Sequence, residues 1–236
     1  MTKTYEYTML RRSFHVQYYF KKPTFRWPEM AARFFEMLSG AFGSSDFNLQ
    51  TAELTTNASQ NFSELRARYS VFGGATSVSL LPDRIAFDFP GLSAVDLPLV
   101  RQILEIVHDE FIKAFSEVTF GRLEVQDFAH LDLGKQEAVS TVLEKYRLSE
   151  LGIVFGDSIV VTPSARFSIA SNDGSWRAVA MLEPSQQTTT ALFSSLSVTL
   201  LKVPPALPYH EKAGLVQSII ERCLKALHLE EAKNAS

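Results

Sequence analysis

The sequence predicts an α+β protein of two pseudo-repeated β-α-β(3–4)-α units, with a mainly antiparallel sheet covered by long helices. Strand-like runs cluster between helix-like runs instead of alternating with them one by one. Short turns join successive strands, which favours an antiparallel meander. The chain also reads as if written twice. Ser77-Val78-Ser79-Leu80-Leu81-Pro82 precedes an amphipathic run from Leu99 to Glu105. Half a chain later, Ser197-Val198-Thr199-Leu200-Leu201 precedes one from Leu215 to Glu221.

The elements follow from periodicity. Residues 1–11 read as a loose lead-in. From Ser13 to Phe20, Phe14, Val16, Tyr18 and Phe20 alternate with Ser13, His15, Gln17 and Tyr19, the pattern of a half-buried strand. Lys21-Lys22-Pro23 ends it. A helix over 27–42 starts with Pro28 in its first turn and carries Met30, Phe34 and Leu38 on one face, closed by Gly43-Ser44-Ser45-Asp46. Strands follow at about 47–55, 62–72, 75–81 and 84–89, punctuated by Asn57-Ala58-Ser59, Gly73-Gly74 and Pro82-Asp83-Arg84. The helix over 96–117 has its apolar stripe at Val100, Ile103, Leu104, Val107, Phe111, Ala114 and Phe115, and His108-Asp109-Glu110 reads as solvated.

The second unit opens with a strand over 120–133 and a shorter helix over 135–146. Strands at 152–162, 165–171, 176–183 and 190–203 come next, with Asn172-Asp173-Gly174 as the strongest turn signal. A closing helix over 209–229 sets Leu215, Ile219, Cys223 and Leu227 in line. With no low-complexity linker, residues 13–117 and 120–229 are expected to form one globular body, and 230–236 a flexible polar tail.

Composition narrows the function. The 236 residues are 46% hydrophobic and 21% charged, enough apolar surface for an ordinary core, and the net charge of −3 gives no general attraction to nucleic acid or anionic membranes. Met1 to Arg12 lacks the apolar run of a signal peptide, and no stretch approaches the roughly 18–20 apolar residues of a membrane span. The single cysteine, Cys223, sits in a helical run and reads as a buried thiol. A cytoplasmic location is expected, with no cofactor.

Phosphate-binding glycine loops, CxxC, HExxH and GxSxG are all absent. Two patterns remain. On the strand over 120–133, Arg122, Glu124, Gln126, Phe128, His130 and Asp132 share one face by period-two alternation, opposite Leu123, Val125, Ala129 and Leu131. Glu124, His130 and Asp132 could serve as acid/base or metal-ligating groups if another element added a ligand, or they form the polar, solvated face usual for an antiparallel strand. Asp127 falls in phase with the apolar set, so it sits at a bulge or has a partner. The second pattern is N-terminal. Arg11, Arg12, Lys21, Lys22 and Arg26 flank Phe14, Tyr18, Tyr19, Phe20, Phe25 and Trp27, and basic residues among aromatics are how single-stranded nucleic acid is gripped.

Val118-Thr119-Phe120-Gly121-Arg122-Leu123-Glu124-Val125, opening a strand after a long helix, resembles the signature of a sporadically distributed family of uncharacterised bacterial proteins of about this length. The resemblance spans most of the chain and implies the fold; the family has no settled activity to carry over. Glu124 departs from the hydrophobic residue or glycine typical there, and no Arg-Tyr-x-Asn continuation follows.

The expected function is a non-catalytic interaction or accessory subunit of a multi-protein bacterial system, with a protein partner or a second copy of itself. The alternatives are a ligand- or metal-binding or hydrolytic protein using the cleft between the halves, and a nucleic-acid binder acting through the N-terminal segment.

Overall fold

The computed structural model describes residues 4–24, 26–42, 51–55, 65–71, 76–93, 96–146, 164–202 and 208–232. In chain order these form β1 (Tyr5–Phe20), α1 (Trp27–Phe42), β2 (Thr51–Thr55), β3 (Arg66–Val71), β4 (Thr76–Leu81), β5 (Arg84–Leu92), α2 (Leu97–Ala114), β6 (Phe120–Asp132), α3 (Gln136–Glu144), β7 (Ala165–Ala170), β8 (Trp176–Pro184), β9 (Ala191–Leu200), α4 (Tyr209–Ala226) and β10 (Leu229–Glu231). The predicted strand at 152–162 and the predicted turns at 43–46, 57–59 and 73–74 lie outside the described residues. Among the described residues no helix is long and apolar enough to cross a membrane.

The fold is α+β, with one open sheet ordered β2-β3-β4-β5-β1-β6-β9-β8-β7. Every neighbouring pair on that path is antiparallel, and β10 adds a short parallel pairing to Tyr5–Tyr7 of β1. Short connections produce this order. Leu81 and Arg84 face each other across the two-residue Pro82-Asp83 turn. The β7–β8 turn places Gly174 at φ +66, while Asp173 accepts a hydrogen bond from the Ser175 backbone N–H at 3.0 Å.

β1 begins at Tyr5, eight residues before the alternation at Ser13 becomes legible. A bulge hides the earlier part. Met9 pairs with Leu131 and Arg11 with His130, so Leu10 is an extra residue and is exposed. The inward parity therefore changes from Tyr7 before the bulge to Arg12, Val16, Tyr18 and Phe20 after it. At the other end of the chain, Glu230 and Glu231 pair with Glu6 and Tyr7, so the expected polar tail starts inside a strand.

The core lies between the helices and one face of the sheet. Phe111 of α2 stacks on Phe115 at 4.6 Å between ring centres, with Phe20, Phe34 and Phe120 around it. Trp27 Nε1 donates to the Leu80 carbonyl at 3.2 Å, and Tyr69 Oη donates to the Ala31 carbonyl at 2.9 Å, fastening α1 to β3 and β4. On α4 the buried stripe is Tyr209, Lys212, Val216, Ile219, Ile220, Cys223 and Leu224, whereas Leu215 is exposed. The predicted line through Leu215 marks the edge of that face.

The segment pair that suggested duplication does not occupy equivalent places. Residues 77–81 lie in β4, one strand removed from β1, whereas 197–200 lie in β9, which pairs directly with β6. Short apolar strands resemble one another because each meets the same demand of a buried face, so local similarity does not define register.

Candidate functional site

Glu124, His130 and Asp132 lie on the face of β6 away from the helices, as the alternation predicts, and the sheet does not gather them. Six residues along a strand put Glu124 and His130 about 20 Å apart. Each has a local role. Arg122 Nε lies 3.3 Å from Glu124 Oε1, and His130 Nδ1 is hydrogen-bonded to Ser185 Oγ at 2.9 Å. The Gly134 backbone N–H donates to Asp132 Oδ1 at 2.9 Å. His130 also packs beside Phe193, and desolvation followed by the charge of Arg11 lowers its pKa from the ordinary value. Among the described residues no group of three His, Cys, Asp or Glu side chains could hold a metal ion.

At the N-terminal pattern, Lys21 and Lys22 are exposed, and Arg26 is paired with Glu29 at 2.8 Å. Its aromatic half is not available for stacking on bases, because Tyr18, Phe20 and Trp27 are buried in the core. Tyr19 faces outward, under the guanidinium of Arg122 at 3.8 Å from its ring centre.

Two buried polar constellations lie on the helix-covered face. The first answers the question posed by Asp127, which is only 4% exposed. Arg12 Nε donates to its Oδ1 at 2.9 Å and Nη2 to its Oδ2 at 2.8 Å, a bidentate pair between the two central strands. Arg12 also stacks over the Phe14 ring at 4.2 Å. The sequence places Arg12 among the basic residues flanking the N-terminal aromatics, but it stands in phase with Phe14, Val16 and Tyr18; carrying the alternation two residues further back reveals an arginine on the inward face.

The second constellation joins α2 to α4. Lys212, 1% exposed, places its Nζ 2.9 Å from His108 Nε2, and His108 Nδ1 lies 2.9 Å from Asp109 Oδ1. The ammonium has no acceptor capacity, so His108 accepts at Nε2 and donates from Nδ1 to the carboxylate. Tyr18, Phe120 and Tyr209 ring the imidazole. The solvated reading of His108 is thereby corrected: His108 shares the apolar phase of Leu104 and Phe111 and is buried. Lys212 keeps the same relation to Tyr209 and Val216.

Desolvation lowers the pKa of both groups, for Lys212 against the pull of Asp109 and for His108 against its hydrogen bond to Asp109. Below the ordinary histidine value of about 6.5 the unfolded chain takes up a proton that the native state resists, so stability falls as pH drops through that value. Urea midpoints measured from about pH 8 to about pH 5 should therefore decline with acidification, and His108→Gln should reduce the slope below about pH 6.5. An unchanged slope would show that His108 does not contribute to the acid sensitivity.

Under α4 the Arg12–Asp127 pair separates two cavities, of about 500 and 290 Å³. The larger is bounded mainly by apolar side chains of β1, β6, α2 and α4, with Arg12, Arg101, His210 and Glu221 also on its lining, and the smaller by Tyr7, Asp127, Ala129 and Ser194 among others. The Ser194 hydroxyl is buried without a hydrogen-bond partner.

No family model and no curated protein matches this chain. Among solved structures, it is similar to a nonspecific heme-binding cyclase that catalyses a 4 + 2 cycloaddition in neoabyssomicin biosynthesis. The two share 11% identity over 86% of this chain and 92% of that one, with a TM-score of 0.17, so the likeness carries no argument about fold or chemistry.

Proposed function

We propose that this chain is a non-catalytic interaction subunit that docks an acidic protein surface on the face of its sheet opposite the described helices. The carrying observation is a charge asymmetry. The whole chain has 23 basic and 26 acidic residues. On that face, strands β1 to β9 carry seven arginines among the described side chains, Arg11, Arg66, Arg68, Arg84, Arg122, Arg166 and Arg177, against five carboxylates, Glu6, Asp88, Glu124, Asp132 and Glu183. Arginine suits such a surface because its planar fork binds carboxylates bidentately. Phe128 and Phe193, stacked with ring centres 6.2 Å apart in the middle of the face, supply apolar anchors of the kind that dominate interface energetics.

Under the same proposal the chain is a duplication about the β1–β6 pair. β5, β4 and β3 then correspond to β9, β8 and β7, and α2 to α4, an order supported by the sheet path. Membership of the sporadically distributed bacterial family and a cytoplasmic setting belong to this reading too.

Cross-linking of the purified full chain in extract of its native host, followed by mass spectrometry, tests the proposal. The expected result is cross-links from strands β6 to β8 to an acidic region of one protein, lost in a folded Arg122→Glu, Arg166→Glu, Arg177→Glu variant. Retained cross-linking in that variant, or salt-dependent retention of a single-stranded oligonucleotide in place of a protein, would overturn it.

A further inference from the structure

We propose that the divided cavity beneath α4 binds an amphipathic small molecule with an apolar body and a neutral or amine head. The proposal is independent of the arginine-bearing face, since the cavity lies on the opposite side of the sheet. The larger chamber falls in the usual size range for a ligand pocket, roughly 300–1,000 Å³. Val16, Val125, Val100, Leu104, Val216 and Ile220 give it an apolar wall from four elements. It therefore takes the body of the ligand.

The polar end is set by one row across the sheet. Arg12 faces Ala129, and Ala129 faces Ser194. The small Ala129 leaves a recess between two polar side chains. Arg12 directs two of its five N–H donors at Asp127. Ser194, 1% exposed, has no partner for its hydroxyl although it lines the smaller chamber. A buried hydroxyl left unpaired is costly, so an occupant that bonds to it is favoured. Arg12, Gln217, Ile220 and Glu221 border both chambers, which places the polar row within reach of a molecule seated in the apolar one.

Charge decides which head fits. Asp127 already neutralises Arg12. Around the smaller chamber Glu221, Glu230 and Glu231 outnumber Lys225, and Arg101 lines only the larger chamber, where the apolar body sits. A carboxylate head would be desolvated among like charges, whereas an alcohol or an amine can donate to the unpartnered Ser194 hydroxyl.

Calorimetric titration of the full chain with decylamine, decanol and decanoate, each below its critical micelle concentration, tests both halves of the assignment. The amine and the alcohol should bind at one site per chain, and decanoate about tenfold more weakly or worse. Ala213→Phe, which fills the larger chamber from its α4 wall, should abolish binding. Ser194→Ala should weaken binding about fivefold, the value of one hydrogen bond, while leaving the unliganded melting temperature unchanged or higher. Decanoate binding as tightly as decylamine would overturn the head assignment. Failure of all three compounds to bind, or binding indifferent to Ser194→Ala, would overturn the site.

Discussion

Asp127→Ala should destabilise the protein by about 3–5 kcal/mol, because it strands the Arg12 guanidinium, itself buried, without its counter-charge. Arg12→Met should cost a comparable amount by leaving the carboxylate alone in an apolar setting. The double change Arg12→Met with Asp127→Leu should recover most of that loss, since a buried ion pair replaced by apolar groups of similar volume is often neutral or stabilising. Urea denaturation of all four proteins measures the coupling. Additive losses in the double variant would mean that the two side chains are held by other partners and that the pair is incidental.

Ile219→Ala should cost about 2–5 kcal/mol, and Leu104→Ala should fall in the same range, the usual penalty for emptying a buried aliphatic site. Ile219 belongs in the upper part of it, because it is 1% exposed on the main stripe of α4. Leu104 borders the larger cavity, where neighbours have space to relax. Unchanged midpoints would mean that the two helices do not press these residues against the sheet.

The two effects differ in how far the sequence foreshadowed them. Ile219 and Leu104 were legible, since a helix that buries one face repeats apolar residues every three to four positions. Asp127 was legible as an anomaly, a carboxylate in phase with Leu123, Val125, Ala129 and Leu131. Its partner was not. Arg12 lies 115 residues away in sequence, and no local pattern links a residue of one strand to its partner on another.

His108 and Lys212 teach the same lesson on helices. Each occupies a position on its apolar stripe, yet His108 sits in a run of titratable residues that invites a solvated reading. What brings them within 2.9 Å is the approach of α2 to α4, a contact between elements 104 residues apart. Glu124, His130 and Asp132 show the converse. Their common face was correctly assigned, but sharing a strand face fixes direction and spreads the groups along its length, and among the described residues no three ligand-type side chains converge there.

The amino-acid sequence alone thus determined the α+β class, most helix and strand positions, and the face on which each residue of β6 lies, because periodicity is a local property set by backbone geometry. Tertiary structure decided the rest: the central pairing of β1 with β6, the switch of inward parity at Leu10, the buried pairs Arg12–Asp127 and His108–Lys212, and the divided cavity beneath α4. Those features depend on which distant surfaces meet and in what register, and that is settled by the packing of the whole chain.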